Sequence, residues 1–162
     1  MVHVVIPHIV GTVALITIFF IAGLYYNYVY SSLQTDVTTK KLKEVADYVA
    51  SNIMDLISLC YLSSGDQSLN KTVTVPESIG NNIYTIVIAN FSDPAAGEVL
   101  YVVRAHLTLS PSVYGESELP WTSEGGIRVD SSASSISAGV GSFIIWCRKT
   151  GDTITVGFSM EG

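Results

Sequence analysis

Three histidines and two cysteines are the side chains best suited to metal binding or nucleophilic chemistry in this chain. His3 and His8 lie in an apolar N-terminal segment and His106 lies in a strand-like segment, so no HExxH, HxH or His-plus-Cys pattern arises. The GxSxG, GxGxxG and GxxxxGK[ST] patterns are also missing from the sequence. We therefore expect no enzyme activity, no metal site and no cofactor, and we assign structural roles to the histidines.

The two cysteines fall in different kinds of segment, Cys60 in a helical pattern and Cys147 in a strand pattern. A disulfide between them would tie a helix to a sheet and stabilise the fold by about 4 kcal/mol in the chain-entropy model, given an oxidising compartment. The alternative is that both are small buried hydrophobic side chains. The sequence leaves these two interpretations open.

Three glutamates share one stretch rich in Ser, Pro and Gly, namely Glu116, Glu118 and Glu124. Paired carboxylates serve general acid and base catalysis or calcium binding when a fold brings them together. Their surroundings favour a solvated surface loop, which we expect to have neither role.

Two Asn-x-Ser/Thr sequons begin at Asn70 and Asn90. Both follow the apolar segment and lie near predicted strand ends. If this part of the chain is outside the cell, both asparagines are candidates for N-glycosylation.

The segment from Pro7 to Tyr30 contains no charged side chain, and the first charge in the chain is Asp36. Its length suits a helix that crosses a bilayer, and its apolar residues cover every side of the helix. Tyrosines cluster at its end, as in an aromatic belt at lipid headgroups or in packing between subunits: Tyr25, Tyr26, Tyr28 and Tyr30. The segment therefore needs either lipid or other copies of itself around it.

A secretory leader would carry a positive charge before its apolar core, yet no Lys or Arg precedes Lys40. Either a basic leader has been removed ahead of this chain, or the segment is kept and oriented by Lys40, Lys41 and Lys43. The second option would place the following residues in the cytoplasm. We favour the removed leader because the remaining sequence has extracellular character.

A second helical pattern follows without an intervening Gly or Pro before Gly65, which predicts one helix over 9–62. Its apolar positions recur at steps of three and four and predict one buried face: Leu42, Val45, Ala46, Val49, Ile53, Leu56, Ile57 and Cys60.

After Gly65 the apolar residues alternate with polar ones, which predicts strands over 72–75, 83–89, 98–109, 142–148 and 153–160. The last two form a hairpin, and 91–97 forms a turn. The stretch 110–137 predicts mainly loops, with one strand-like piece at 127–129 and with Tyr114 and Trp121 on the surface.

These patterns predict an α+β fold, in which a long N-terminal helix precedes a small antiparallel, β-sandwich-like head in the shape of a lollipop. In the predicted domain division the helical part of the chain is 1–62, with an apolar assembly or membrane part at 1–35 and an amphipathic part at 36–62, and the β-rich head is 63–162. Eight basic residues against 14 acidic ones give a net charge of −6, which argues against a nucleic-acid partner.

The phrases IPHIVGTVALITIFFIAGLYYNYV, LKEVADYVASNIMDLISL and TVTVPESIGNNIYTIVI together resemble the archaeal type IV pilin and archaellin superfamily. That resemblance implies a subunit whose N-terminal helices pack in the core of a helical filament after a membrane peptidase removes a short basic leader. The chain departs from the pattern because it shows neither the leader nor the N-terminal glutamate of bacterial type IV pilins.

We therefore expect a structural, non-enzymatic subunit of an extracellular adhesion filament, inserted in the membrane before assembly and archaeal in origin. Its partners would be identical subunits, the pilus assembly machinery, the membrane, and an unidentified surface glycan or host surface. The alternative is a membrane-anchored archaellum or pilus accessory protein with an extracellular β-sandwich. The expected assembly surface comprises Ile9, Val13, Leu15, Ile16, Ile18, Phe19, Phe20, Ile21, Leu24, Tyr25 and Tyr28.

Overall fold

The computed structural model describes residues 2–92, 99–122 and 126–160, with side chains described from Val10 onward except at 91, 92, 99 and 122. One helix precedes all the strands in this part of the chain. The elements are α1 (Val2–Leu62), β1 (Gln67–Thr74), β2 (Tyr84–Ser92), β3 (Val99–Leu107), β4 (Tyr114–Thr122), β5 (Ile127–Val129), β6 (Ser135–Ser137), β7 (Ser142–Thr150) and β8 (Thr153–Met160). The predicted α+β class is confirmed.

The chain divides into two compact units, 1–37 and 38–162. The first unit is helical throughout its described residues. The second unit contains the amphipathic part of α1 together with all the described strands. Within this unit the helix and the strands share one hydrophobic core.

The strands form two four-stranded sheets. The first sheet has the order β1-β7-β8-β5 and the second has the order β4-β3-β2-β6. All the described pairings are antiparallel except β5 with β8. This arrangement leaves β4 at one edge of the second sheet, with β3 as its neighbour.

The core of the second unit is built from one face of α1 and one face of each sheet. Each of the eight apolar helix positions predicted to be buried is at most 8% exposed, which confirms the predicted face. From the sheets, Tyr84, Ile86, Phe143 and Ile145 are fully enclosed. The rings of Phe143 and Phe158 meet edge to face with centroids 5.4 Å apart, a favourable aromatic arrangement.

The prediction of loops within 110–137 is wrong at 114–122, because β4 occupies these residues and pairs with β3 along most of its length. Because Glu, Ser and Pro are typical of loops, the sequence does not indicate a strand here. An edge strand tolerates a proline because one of its sides makes no ladder hydrogen bonds, and Pro120 lies in such a strand. Glu116 and Glu118 therefore lie on a strand, and Trp121 packs partly buried against the core.

The predicted C-terminal hairpin is confirmed, with Gly151 and Asp152 forming the two-residue turn between β7 and β8. Gly151 has a φ of 58°, in the left-handed region that favours glycine. Its N–H donates to Asp66 Oδ1 at 2.9 Å.

Several predicted boundaries differ from the structure. The helix begins at Val2 rather than at Ile9, and Pro7 removes only one backbone donor from its early turns. Leu109 and Met160, expected inside, are exposed because the first follows the end of β3 and the second ends β8. The predicted turn at 91–97 lies mostly outside the described residues.

Candidate functional site

The first unit presents large apolar side chains to its surroundings on every side of the helix. Every described member of the expected assembly surface is between 53% and 83% exposed, and Phe19 is the most exposed of them. The side chain of Ile9 lies outside the described part. Because burying each such side chain is worth about 1.5–3 kcal/mol, this surface is unfavourable in water. The helix therefore requires an apolar environment.

Three polar side chains in this unit, those of Thr17, Asn27 and Thr35, donate hydrogen bonds to carbonyls of the same helix. The Thr17 hydroxyl donates to the Val13 carbonyl at 2.9 Å, and the Asn27 amide donates to the Gly23 carbonyl at 3.1 Å. Bonds of this kind remove the need for water at polar groups in an apolar medium. The surface of the helix is thus chemically suited to lipid or to a bundle of helices.

Among the described residues, one helix is long and apolar enough to cross a membrane, judged by length and composition. The qualifying window lies near the N-terminus, and none of it is buried in the structure. A signal sequence or a soluble core helix passes the same test of length and composition. The apolar helix is therefore compatible with a membrane anchor without identifying one.

The tyrosines at the end of the apolar segment are all exposed, at 57% to 75%. Tyr26 and Tyr30, one helical turn apart, stack with their ring centroids 6.3 Å apart. Such rings have an apolar body and a polar tip, which suits either an interface between lipid and water or the rim of a protein contact.

His106 is the histidine whose side chain the structure describes, and it lies on the outward face of the second sheet. The register aligns it with Thr85 on β2 and Tyr114 on β4. Its Nδ1 atom is enclosed without a hydrogen-bond partner among the described residues. Burial, and secondarily the charge of Arg104, lower the pKa of His106 below its ordinary value of 6.5.

Next to His106, Arg104 forms an ion pair with Glu116, and its guanidinium lies 4.9 Å from the centre of the Tyr114 ring. This pair neutralises Glu116, so the carboxylate has a structural partner. Glu118 lies on the same face of β4, and Glu124 falls outside the described residues. Within the described ranges, no group of three His, Cys, Asp or Glu side chains is placed to hold a metal ion.

Cys60 and Cys147 are brought together in the core, with their Sγ atoms 2.8 Å apart and both residues fully buried. Both are free thiols in this structure. The two sulfurs are therefore close enough for the disulfide that the sequence leaves open. The disulfide itself stays a prediction.

The asparagines of both sequons are exposed. Asn70 lies on β1 opposite Trp146 of β7, and Asn90 lies on β2 opposite Tyr101 of β3. An oligosaccharide needs an accessible amide, which both positions provide. Their modification stays a prediction.

An apolar groove of about 510 Å³ lies between the end of α1 and the edge of the strands, and sequence reasoning missed it. Ile57 and Tyr61 of the helix line one side, and Pro120 and Trp121 of β4 line the other. The Nε1 atom of Trp121 is enclosed without an acceptor among the described residues. The sequence pattern predicts a loop in place of β4, and a loop does not indicate that Trp121 lies beside the helix.

No protein-family model, curated protein or solved structure matches this chain.

Proposed function

We propose that this chain is the structural subunit of an extracellular helical filament of the type IV pilus kind, assembled through the apolar part of α1. The observation that carries the proposal is the exposure of large apolar side chains on all sides of the first unit. One partner surface would cover only one side of such a helix. A bundle of identical helices covers every side, which is why a homopolymer is the favoured partner.

The physical chemistry of assembly supports this function. A helix that is apolar all round is stable in lipid as a single subunit and stable in a bundle as a polymer, so the transfer never exposes it to water. Repeated head-to-tail contacts that do not close generate open helical assemblies. In this scheme the subunit is held in the membrane before the assembly machinery extracts it.

The β-rich head would face outward from the filament and provide adhesion to a surface glycan or host surface. Its exposed sequon asparagines agree with an extracellular position. The proposed role is structural, without catalysis, cofactor or nucleic-acid binding.

The second candidate is a membrane-anchored accessory protein with an extracellular β-sandwich. The suitability of α1 as a membrane span favours it. Electron microscopy of the purified full chain separates the two candidates. Filaments support the subunit, whereas discrete particles that remain soluble only in detergent support the anchor.

A charge within the apolar helix tests the proposed assembly surface. Leu15, 70% exposed, is replaced by Lys, with Leu15→Met as the matched control because it keeps the volume and apolar character. Filaments should be lost in Leu15→Lys and kept in the control, while thermal unfolding of the second unit, followed by circular dichroism, stays unchanged. Filaments of normal abundance from Leu15→Lys would refute the assembly surface.

A further inference from the structure

The two cysteines meet at a site that two separate elements hold in place. Cys60 lies in the last turn of α1, which ends at Leu62, and Cys147 lies inside β7 between its partners on β1 and β8. Their sulfurs are 2.8 Å apart, and a disulfide bond requires about 2.05 Å. An approach of less than 1 Å would therefore join them, which is within the reach of small adjustments of the two side chains.

Polar contacts around the pair fix the end of the helix against the first sheet. The Lys149 ammonium donates to the carbonyl of Ser63, directly beyond the helix, and the Gly151 N–H donates to Asp66. Ser63 and Asp66 follow Cys60 in the chain, and Lys149 and Gly151 follow Cys147, so these contacts join the two segments that come directly after the cysteines. The close approach of the sulfurs is consequently a property of the docked helix end.

We propose that Cys60 and Cys147 form an intramolecular disulfide when the chain folds in an oxidising compartment, locking the end of α1 to the centre of the first sheet. The sequence contains only two cysteines, so one intramolecular pairing exists and no mispaired isomer competes with it. The proposal requires an oxidising compartment but no filament, so failure of the proposed assembly would leave it intact.

The reaction is thiol–disulfide exchange with a small or protein disulfide as oxidant. One cysteine thiolate attacks a sulfur of the oxidant, which breaks the oxidant's S–S bond, forms a mixed disulfide and releases one oxidant thiol. The second cysteine then attacks the first cysteine's sulfur in the mixed disulfide and displaces the other oxidant thiol. In total the two cysteine S–H bonds and the oxidant's S–S bond are broken, and the protein's S–S bond and two oxidant S–H bonds are formed. The two electrons and two protons end on the oxidant, which leaves as two thiols.

Burial decides when this reaction occurs. Burial, and secondarily the contact with Cys60, raise the pKa of Cys147 well above its ordinary value, so little reactive thiolate exists in the folded protein. Oxidation therefore takes place during folding, while the thiols are still accessible. Once formed, the bond is shielded from reductants by the core.

The test uses the full chain, unfolded and reduced, then refolded in detergent with or without oxidised glutathione. Each sample is unfolded in iodoacetamide without reductant, and its intact mass is measured. The oxidised sample should carry no alkyl group and weigh two hydrogens less than the reduced chain, and prior reduction should restore two alkyl groups. Two alkyl groups without reduction, a glutathione adduct or a disulfide-linked dimer would overturn the proposal.

A second measurement separates a structural lock from an incidental bond. The closed loop spans 87 residues, so the oxidised protein should unfold on the order of 10 °C above the reduced protein. The Cys60→Ala/Cys147→Ala variant should show the same unfolding temperature with and without the oxidant. Equal unfolding temperatures for oxidised and reduced wild-type protein would refute the locking role.

Discussion

Gly115 of β4 lies directly against the backbone of Lys43 in α1, so that a Cβ added to Gly115 would stand 2.2 Å from the Lys43 nitrogen. The Lys43 ammonium also donates to the carbonyl of Glu116, 3.3 Å away. These contacts bring the edge strand of the second sheet onto the amphipathic part of the helix. The absence of a side chain at Gly115 is what permits the close approach.

Replacing Gly115 by Ala should therefore destabilise the second unit. The added methyl group meets backbone atoms, which cannot rotate away as a side chain can, so β4 must shift from the helix. We expect a loss of about 3 kcal/mol in the free energy of unfolding, measured by denaturant titration. Gly65→Ala is the control, because a Cβ there has no neighbour within 4 Å. Equal stability of the two variants would show that the close packing is not essential.

Truncation of Ile53 should reveal how much the helix contributes to the core. Its side chain is fully buried among residues of the common core, so Ile53→Ala removes apolar contacts and leaves a cavity. The expected cost is about 2–5 kcal/mol of unfolding free energy. Leu59→Ala provides the control on the same helix, since Leu59 is 58% exposed and should cost less than about 0.5 kcal/mol. A similar loss for both would contradict the assigned buried face.

The helix face and the C-terminal hairpin could be predicted from the sequence because each depends on a local periodicity. The apolar residues between Leu42 and Cys60 recur at helical spacing. Phe143, Ile145 and Cys147 occupy every second position along a strand. The sequence could not predict β4, because Pro120 and the glutamates are compatible with a strand only at a sheet edge, and edge position is a property of topology.

Some features of the candidate site can likewise be predicted from the sequence, and others cannot. The apolar surface of the first unit is visible in the sequence, since it depends on the absence of charge before Asp36. The ion pair of Arg104 with Glu116 and the groove beside Trp121 depend on the register of β3 with β4. The register between two strands leaves no periodic signal in the sequence, so these features required the structure.

The exposed sequons predict a measurable modification if the chain is exported by a cell that glycosylates asparagine. The intact mass should exceed the sequence mass by whole glycan increments, because Asn70 and Asn90 are both accessible. Asn70→Gln and Asn90→Gln should each remove one site, and the double variant should return to the sequence mass. An unmodified mass of the native protein would contradict the prediction.

His106 should lower the free energy of unfolding at acidic pH. Its pKa in the folded protein is below 6.5, so as the pH falls through that value the unfolded state binds the proton first. Stability from the neutral imidazole is therefore present above pH 6.5 and is lost as the pH falls toward the folded pKa. Denaturant titrations at several pH values should show a smaller acid-side loss for His106→Gln than for the wild type. Parallel pH profiles would contradict this role.

Tyr84 should make the free energy of unfolding decrease as the pH rises in the alkaline range. Its hydroxyl donates to the Pro76 carbonyl at 2.7 Å, and Tyr84→Phe should cost about 1 kcal/mol near neutral pH through loss of that bond. Burial raises the pKa of Tyr84 from 10.0 to about 12. Between these values the unfolded state has released the proton and the folded state still holds it, so raising the pH favours unfolding.

The wild type should therefore lose up to roughly 3 kcal/mol more than Tyr84→Phe as the pH rises through this interval. The comparison with Tyr84→Phe removes the contributions of all other titrating groups, which both proteins share. Unfolding by urea at each pH gives the two stability profiles, and ultraviolet absorbance follows tyrosine ionisation in the folded state. If the folded wild type ionises one tyrosine more than Tyr84→Phe within this interval and the two proteins lose stability in parallel, Tyr84 does not hold its proton against alkali.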